Sequence, residues 1–342
     1  VGKVAIEGEL IKPAEELLKK TKIGKEKAFN REAVREDALT LRNLYTNEGY
    51  AYPEVKPRTN EDNETQLVDV TYVISKGPKV RFERINIVGN TSTRDKVIRR
   101  ELKVIEGEYF SGRGIRRSTQ NLHRLGFFED VQIQTRKGSE EDLMILDVEV
   151  KERPTGSFSL GAGYSSEDKM FGVFEISQNN LFGRGQKIQA SVKMGATSTR
   201  FDIRFTEPWF LDKPISAGVD LYMRTLEYND YTRDSWGGAL SFGSPLRIDE
   251  FTRGSARYSY DDTDLSDVSK DAAFAIRDSR GRNVTSGMTF AVTRDSRDRP
   301  FLTSRGSHNS ISFEYTGGVF SGDVYMNKYE ATSSWYFPLF WN

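Results

Sequence analysis

Gly183-Arg184-Gly185-Gln186-Lys187 has the glycines and the basic residue with which a loop cradles phosphate. It lacks the Gly-Lys-Ser/Thr ending of a P-loop and runs into a strand pattern rather than a helix, so a hairpin turn is expected there. Asp261-Asp262-Thr263-Asp264-Leu265-Ser266-Asp267 offers carboxylates to a hard cation. A calcium loop also needs glycine at its sixth position and glutamate at its twelfth, and neither is present. A solvent-facing loop between strands is the expectation. The only histidines are His123, within a charged helix surface, and His308, and neither lies beside a serine and aspartate arrangement. The absence of cysteine removes disulfide, iron–sulfur and cysteine–zinc readings but leaves the redox compartment open. No nucleophile, general base or metal cluster stands out, so neither an enzyme nor a cofactor is expected.

The elements around these residues say more than the residues do. After Arg153, ten short segments alternate apolar and polar residues with a period of two. In 187–195, Ile188, Ala190, Val192 and Met194 share one face, and Lys187, Gln189, Ser191 and Lys193 share the other. In 200–206, Phe201, Ile203 and Phe205 oppose Arg200, Asp202 and Arg204. Ile311, Phe313 and Tyr315 oppose Ser312, Glu314 and Thr316. Many segments reach about nine residues, which at ~3.3 Å per residue suits a tilted bilayer crossing better than a short sandwich strand. The polar face is ionic, with Arg200, Asp202, Arg204, Asp220 and Arg224 close in sequence, as in a wet lumen where opposite charges pair. All four tryptophans (Trp209, Trp236, Trp335, Trp341) and about three quarters of the Phe and Tyr lie beyond Arg153, several at expected strand ends. That pattern reads as an antiparallel membrane-spanning β-barrel with interfacial aromatics. A soluble β-sandwich is the alternative that alternation alone leaves open.

Composition agrees with this reading. A chain of 342 residues is long enough for two or three domains. With 37% hydrophobic residues and a mean hydropathy of −0.60, it has no apolar run of the length a transmembrane helix needs. A barrel escapes that test because only alternate residues face lipid. Fifty basic and fifty acidic residues balance to zero net charge, which argues against a nucleic-acid partner. No signal peptide is visible and Val1 falls in mid-pattern, so a mature fragment is expected.

Before Pro154-Thr155-Gly156 the sequence repeats itself. One copy opens on a strand at 3–6 that turns at Gly8, and the other on a strand at 82–88 that turns at Gly89. Two helical stretches follow in each. Pro13 precedes Leu17 and Leu18 in the first copy. Ser92-Thr93-Arg94-Asp95 resembles a capping box before Val97, Ile98 and Leu102 in the second. Asn30 caps a stretch at 31–48 carrying Val34, Ala38, Leu41 and Tyr45, with Gly49 as its left-handed stop. Ile115, Thr119, Leu122 and Leu125 form the matching stripe, stopped at Gly126. Aromatic-rich strands follow at 50–55 and 127–131, and both copies close on strands at 67–70 and 145–148. The order is β-α-α-β-β, twice. Such small α+β domains need no chemistry of their own; their exposed sheet edges can pair with an extended guest strand.

A tandem β-α-α-β-β repeat leading into alternating strands resembles the polypeptide-transport-associated (POTRA) domains and barrel of the outer-membrane barrel-assembly superfamily. The second repeat carries the match in Ile85-Asn86-Ile87-Val88-Gly89-Asn90 and Leu125-Gly126-Phe127-Phe128-Glu129-Asp130-Val131. The later region carries it in Asn180-Leu181-Phe182-Gly183-Arg184-Gly185, Thr206-Glu207-Pro208-Trp209-Phe210 and Thr293-Arg294-Asp295-Ser296-Arg297-Asp298. The resemblance implies a penultimate POTRA domain at 1–77, the last at 78–153, and the front of a sixteen-stranded transmembrane barrel at 154–342, of which about ten strands fall before Asn342. It further implies a Gram-negative outer membrane with the POTRA domains in the periplasm. Implied partners are unfolded outer-membrane β-barrel proteins, accessory lipoproteins of an assembly complex and the lipid bilayer. The run Arg294-Asp295-Ser296-Arg297-Asp298-Arg299-Pro300 reads as a polar hairpin kept soluble by alternating charge.

The main candidate site is the first barrel strand: Ser157, Phe158, Ser159, Leu160, Gly161, Ala162, Gly163 and Tyr164. Small side chains pin its register weakly. In the family reading the barrel opens between its first and last strands, and this strand's free N–H and C=O groups template a client strand. A glycine-rich strand that merely fits a tight curve is the plain alternative. The expected function is assembly and insertion of outer-membrane β-barrel proteins. The alternatives are a two-partner secretion transporter of the same superfamily, which exports a polypeptide through its lumen, and a diffusion porin, for which the repeats would have no use.

Overall fold

Among the described residues, sixteen strands build two small sheets and one large one. The computed structural model describes residues 1–26, 28–62, 66–166, 168–298 and 302–338. These fall into two compact units, Val1–Arg153 and Pro154–Asn342. No helix among the described residues is long and apolar enough to cross a membrane.

In the first repeat, β1 (Val4–Gly8) is followed by α1 (Ala14–Leu18), a 3-10 turn at Ile23–Lys25, α2 (Arg31–Thr46), β2 (Glu54–Asp62) and β3 (Leu67–Ser75). The sheet order is β1-β3-β2, with β1 parallel and β2 antiparallel to the central strand. Leu17, Leu41, Tyr45, Tyr72 and Ile74 are its fully buried centre. Asn30 caps α2, accepting from the N–H groups of Glu32 (2.9 Å) and Ala33. The helix ends at Thr46, short of Gly49. Gly49 does take a positive φ of 103° but uses it in a bridge to Phe110. The aromatic strand expected from Tyr50 begins only at Glu54, because Tyr50 instead bridges to Lys79. Asp37 is buried and accepts from the N–H groups of Lys22 (2.7 Å) and Ile23 (2.9 Å), which fixes the 3-10 turn against α2. Burial, with the Asp37 carboxylate beside it, pushes the Tyr72 hydroxyl above its usual range.

The second repeat runs β4 (Arg81–Val88), α3 (Asp95–Arg99), α4 (Gly112–Leu125), β5 (Phe128–Lys137) and β6 (Leu143–Glu152), in sheet order β4-β6-β5. Gly126 ends α4 in the left-handed conformation, φ 73°. Gly8 and Gly89 hold equivalent places. Each has positive φ, and a Cβ on either would run into a carbonyl oxygen of the central strand, that of Ile74 or of Val150. The capping box is not formed. Arg94 occupies the N-cap of α3 without a side-chain bond. The free N–H groups of Ser92 (2.9 Å) and Thr93 (2.6 Å) go instead to the Glu152 carboxylate at the end of β6, which also accepts from the Thr91 hydroxyl (2.8 Å). A carboxylate from a distant strand outcompetes the local hydroxyl because its hydrogen bonds are charge-assisted.

The second unit is a single antiparallel meander. Its strands are β7 (Gly156–Ser165), β8 (Lys169–Leu181), β9 (Gln186–Gly195), β10 (Ser198–Glu207), β11 (Ser216–Glu227), β12 (Thr232–Pro245), β13 (Thr252–Ser266), β14 (Gly281–Asp295), β15 (Gly306–Thr316) and β16 (Met326–Tyr336), with a short helix α5 (Phe274–Asp278) after β13. Each pairs with its sequence neighbours, leaving β7 and β16 as open edges of the ten-stranded sheet among the described residues. The alternation holds in register: Phe201 sits between Val192 and Met223, and Ile203 between Ala190 and Leu221. The apolar face is left exposed, with Ile203, Leu221, Leu240, Phe290 and Ile311 all in the open. Phe182-Gly183-Arg184-Gly185 forms the expected hairpin turn, held by Asn180 Oδ1 accepting from the Gly185 N–H at 2.7 Å. The aspartate run corrects the expectation of a loop. Asp261 through Ser266 lie inside β13, because the β13–β14 ladder continues to Leu265 opposite Gly281. Alternation then sends Asp261 and Asp262 to opposite faces, so the carboxylates diverge. Trp341, Asn342, Arg299 and Pro300 lie outside the described residues.

Candidate functional site on the first strand of the sheet

All eight candidate residues fall within β7, which pairs with β8 from Gly156 opposite Gln178 to Ser165 opposite Lys169. Its other backbone edge has no strand partner among the described residues. Phe158 and Leu160 are each 76% exposed and Tyr164 72%, and these three share the apolar face with Ala162. Ser157, Ser159, Gly161 and Gly163 line the opposite face. Ser157 Oγ meets Ser177 Oγ across the pair at 2.9 Å, and nothing lies within 4 Å of the place a Cβ would take on Gly161. The strand is thus attached by its backbone on one side and by very little side-chain packing.

One contact on β7 was not legible in the sequence. The Phe171 ring of β8 lies across Gly163, where an added Cβ would come within 2.7 Å of it. Lys193 of β9 stands over the same ring at 4.4 Å and reaches Asp168 at 2.5 Å. Asp168 also accepts from the Ser165 hydroxyl (3.3 Å) and from Ser198 (2.5 Å). This cluster ties the end of β7 to β8, β9 and β10. Only strand parity hinted at it, since Phe171 and Lys193 both fall on the polar face.

Four of the five ionic residues foreseen for the polar face converge, Arg200 being the exception. Arg224 pairs with Asp202 at 3.0 Å, and Asp220 lies between Arg204 (2.9 Å) and Arg257 (2.6 Å). Arg257 was missed by sequence reasoning because it lies two strands away. Tyr222 donates to Asp261. The apolar face ends in ion pairs at both limits of β14. Arg282 holds Asp262 at 2.6 Å and Arg294 holds Asp249 at 2.9 Å. Between them the outward positions are Val284, Ser286, Met288, Phe290 and Val292. At ~3.3 Å per residue and a tilt of ~40°, the twelve residue steps from Arg282 to Arg294 cover about 30 Å along the normal, the thickness of a hydrocarbon core.

In the first repeat, the edge strand β2 and helix α2 border a groove of about 850 Å³, lined in part by Val34, Ala38, Leu39, Tyr52, Pro53 and Val55. Pro57 within β2 suits an edge position, where a missing N–H costs no ladder bond.

The model of the POTRA family, described as a surface antigen variable number repeat, matches residues 1–77 and 80–153, and that of the Omp85 superfamily domain matches 180–342. The chain belongs to the Omp85 superfamily. Within it, the chain is 33% identical over 328 residues to the outer membrane protein assembly factor BamA of Nitratidesulfovibrio vulgaris, covering 94% of this chain and 41% of that protein. It is 31% identical over 312 residues to BamA of Neorickettsia risticii, covering 90% and 42%. This Omp85 chain therefore spans about two fifths of the length of these curated relatives. Among solved structures, BamA from Haemophilus ducreyi lacking POTRA domains 1–3 superposes with a TM-score of 0.72 at 21% identity, over 93% of this chain and 63% of that one. CdiB from Acinetobacter baumannii gives 0.52 at 13% identity, over 97% and 64%. Both likenesses are of fold. For an Omp85 sheet the exposed apolar face is the lipid face and the ionic face the lumen, so the membrane-barrel reading holds and the soluble sandwich does not.

Proposed function

We propose that this chain is the membrane-proximal part of a non-enzymatic factor that assembles and inserts β-barrel proteins in a bacterial outer membrane. Residues 1–77 and 78–153 are its penultimate and last POTRA domains, facing the periplasm, and 154–342 are the front of its barrel. The observation that carries the reading is the make-up of β7 itself, a lipid-level strand whose small residues from Ser157 to Ala162 add little side-chain packing against β8. Backbone pairing along Ser157–Tyr164 gives affinity without a sequence requirement, which suits a template for many client strands. The names of the BamA relatives agree. The open edge of β2 and its apolar groove are where an unfolded client segment or an accessory lipoprotein would dock. No nucleotide is invoked, since a barrel folding into lipid satisfies its own backbone hydrogen bonds.

The test is the folding rate of an unfolded outer-membrane barrel into liposomes carrying the full-length protein. A disulfide from Ser157→Cys to a cysteine on the closing strand should abolish the acceleration, and reduction should restore it. Acceleration that persists in the locked form removes the seam from the mechanism. No acceleration, with release of a soluble polypeptide across the bilayer, makes the protein a secretion transporter.

A further inference from the structure

The ladder between β14 and β15 stops at Gly287 opposite Thr316, whereas β14 stays paired with β13 as far as Gly281. Six residues of β14, 281–286, thus present an edge that no strand covers among the described residues. The connection from β15 to β16 folds back onto it. The Gly317 N–H donates to the Ser286 carbonyl at 2.8 Å, and the Asp323 N–H to the Val284 carbonyl at 2.7 Å. The Val284 N–H in turn donates to the Asp323 carboxylate at 2.7 Å. Positive φ at Gly317, Gly318, Ser321 and Gly322 makes the reversal possible.

The fold-back places apolar side chains on the lipid face. Phe320 packs against Tyr258 (5.9 Å between ring centres) and Tyr315 (6.1 Å), which share the outward row with Leu240 and Met288. Beside it Val319 is 85% exposed and Tyr325 74%. The one charged group of the segment, Asp323, is turned inward onto the backbone. A connection meant for water looks different: residues 267–280 carry Asp267, Lys270, Asp271, Arg277, Asp278 and Arg280. The Trp236–Tyr260 pair lies on the same face, with Trp236 level with Asp262 and Tyr260 one outward position inside the Arg282–Asp262 ion pair that bounds the apolar band.

The geometry points to a lipid anchor: residues 317–325 lie in the membrane, at the boundary between hydrocarbon and headgroups, with Val319, Phe320 and Tyr325 against acyl chains. Continuity with the lipid-facing band and the inward-turned carboxylate select lipid as the occupant. The inference rests on the reading of the sheet as membrane-spanning. It assigns this connection to the bilayer where the others at that end are left to water.

These 342 residues contain no cysteine, and any cysteine elsewhere in the full-length protein is replaced by serine, so that each reporter is single. Val319→Cys, Tyr325→Cys, Ile203→Cys and Lys270→Cys are each introduced in the full-length protein, labelled with an environment-sensitive fluorophore and reconstituted in phosphatidylcholine–phosphatidylglycerol vesicles. Lipids bearing a nitroxide near the headgroup should quench the labels at 319 and 325 roughly twofold or more above that at 270, with iodide quenching them severalfold less, as for an interfacial segment. Labels at 319 and 325 that follow 270, while 203 follows the lipid quencher, overturn the anchor. A label at 203 that follows iodide overturns the membrane reading and the anchor with it.

Discussion

Glu152 shows how much one side chain can decide. Burial by itself would raise its carboxyl. Hydrogen bonds from Thr93, from the Ser92 and Thr93 backbone and from Thr91 override that, and hold it down to about 2 against an ordinary 4.5. A carboxylate with a lowered value in the folded state stabilises fully above its unfolded value. That contribution fades as pH falls from about 4.5 toward 2. Glu152→Gln should therefore cost residues 1–153 ~1–2 kcal/mol at neutral pH, after allowance for partial exposure, and should flatten the acid limb of stability. Urea titrations at pH 7 and pH 3 measure both, and an unchanged midpoint at pH 7 would show that the cap carries no stability. The sequence named Ser92 for this place and not Glu152, because the residue that does the work is 60 positions away.

At the scale of elements, the two repeats solve one packing problem with the same device. Gly8 and Gly89 end their first strands at a point where the central strand's carbonyl leaves no room for a Cβ. Gly8→Ala or Gly89→Ala should each destabilise its repeat by ~2–4 kcal/mol, since strained φ and a steric clash add. Hydrogen exchange should localise the loss to the repeat that was changed. A cost below 0.5 kcal/mol, within the range of ordinary surface substitutions, would mean the backbone relaxes freely. The glycines were legible because turn residues speak locally. The extent of β13 was not: three aspartates depress strand propensity, but other strands supply partners for two of them, Arg282 on β14 for Asp262 and Tyr222 on β11 for Asp261.

Considering the molecule as a whole, the first unit is two repeats with one junction. Ala51 of the first repeat's trailing segment packs in the second repeat's core. The Val80 N–H donates to the Gly49 carbonyl at 2.9 Å, and the Arg113 N–H to Asn47 Oδ1 at 2.8 Å. Lys79 stands over both Tyr50 (5.4 Å) and Tyr109 (5.3 Å). Residues 1–153 are accordingly expected to unfold in a single transition, with circular dichroism and tyrosine fluorescence coinciding; two separated transitions would show independent repeats. The second unit is held differently. Its apolar side chains face outward, so its strands are joined by ladder bonds and by lumenal ion pairs such as Arg204–Asp220–Arg257 rather than by a dry core.

The sequence by itself determined the repeat order, the ten strands and the division of each strand into an apolar and a polar face. Those follow from periods of two and 3.6 and from turn residues, which are local properties of a chain. The choice of the first strand as candidate seam rests on the family resemblance. Tertiary structure decided which distant groups meet: Glu152 on the turn before α3, Phe171 across Gly163, Arg257 beside Asp220, and Phe320 against Tyr258 and Tyr315. A strand's period tells which way a side chain points. It does not tell which neighbour stands there, because that depends on register and on where each ladder stops.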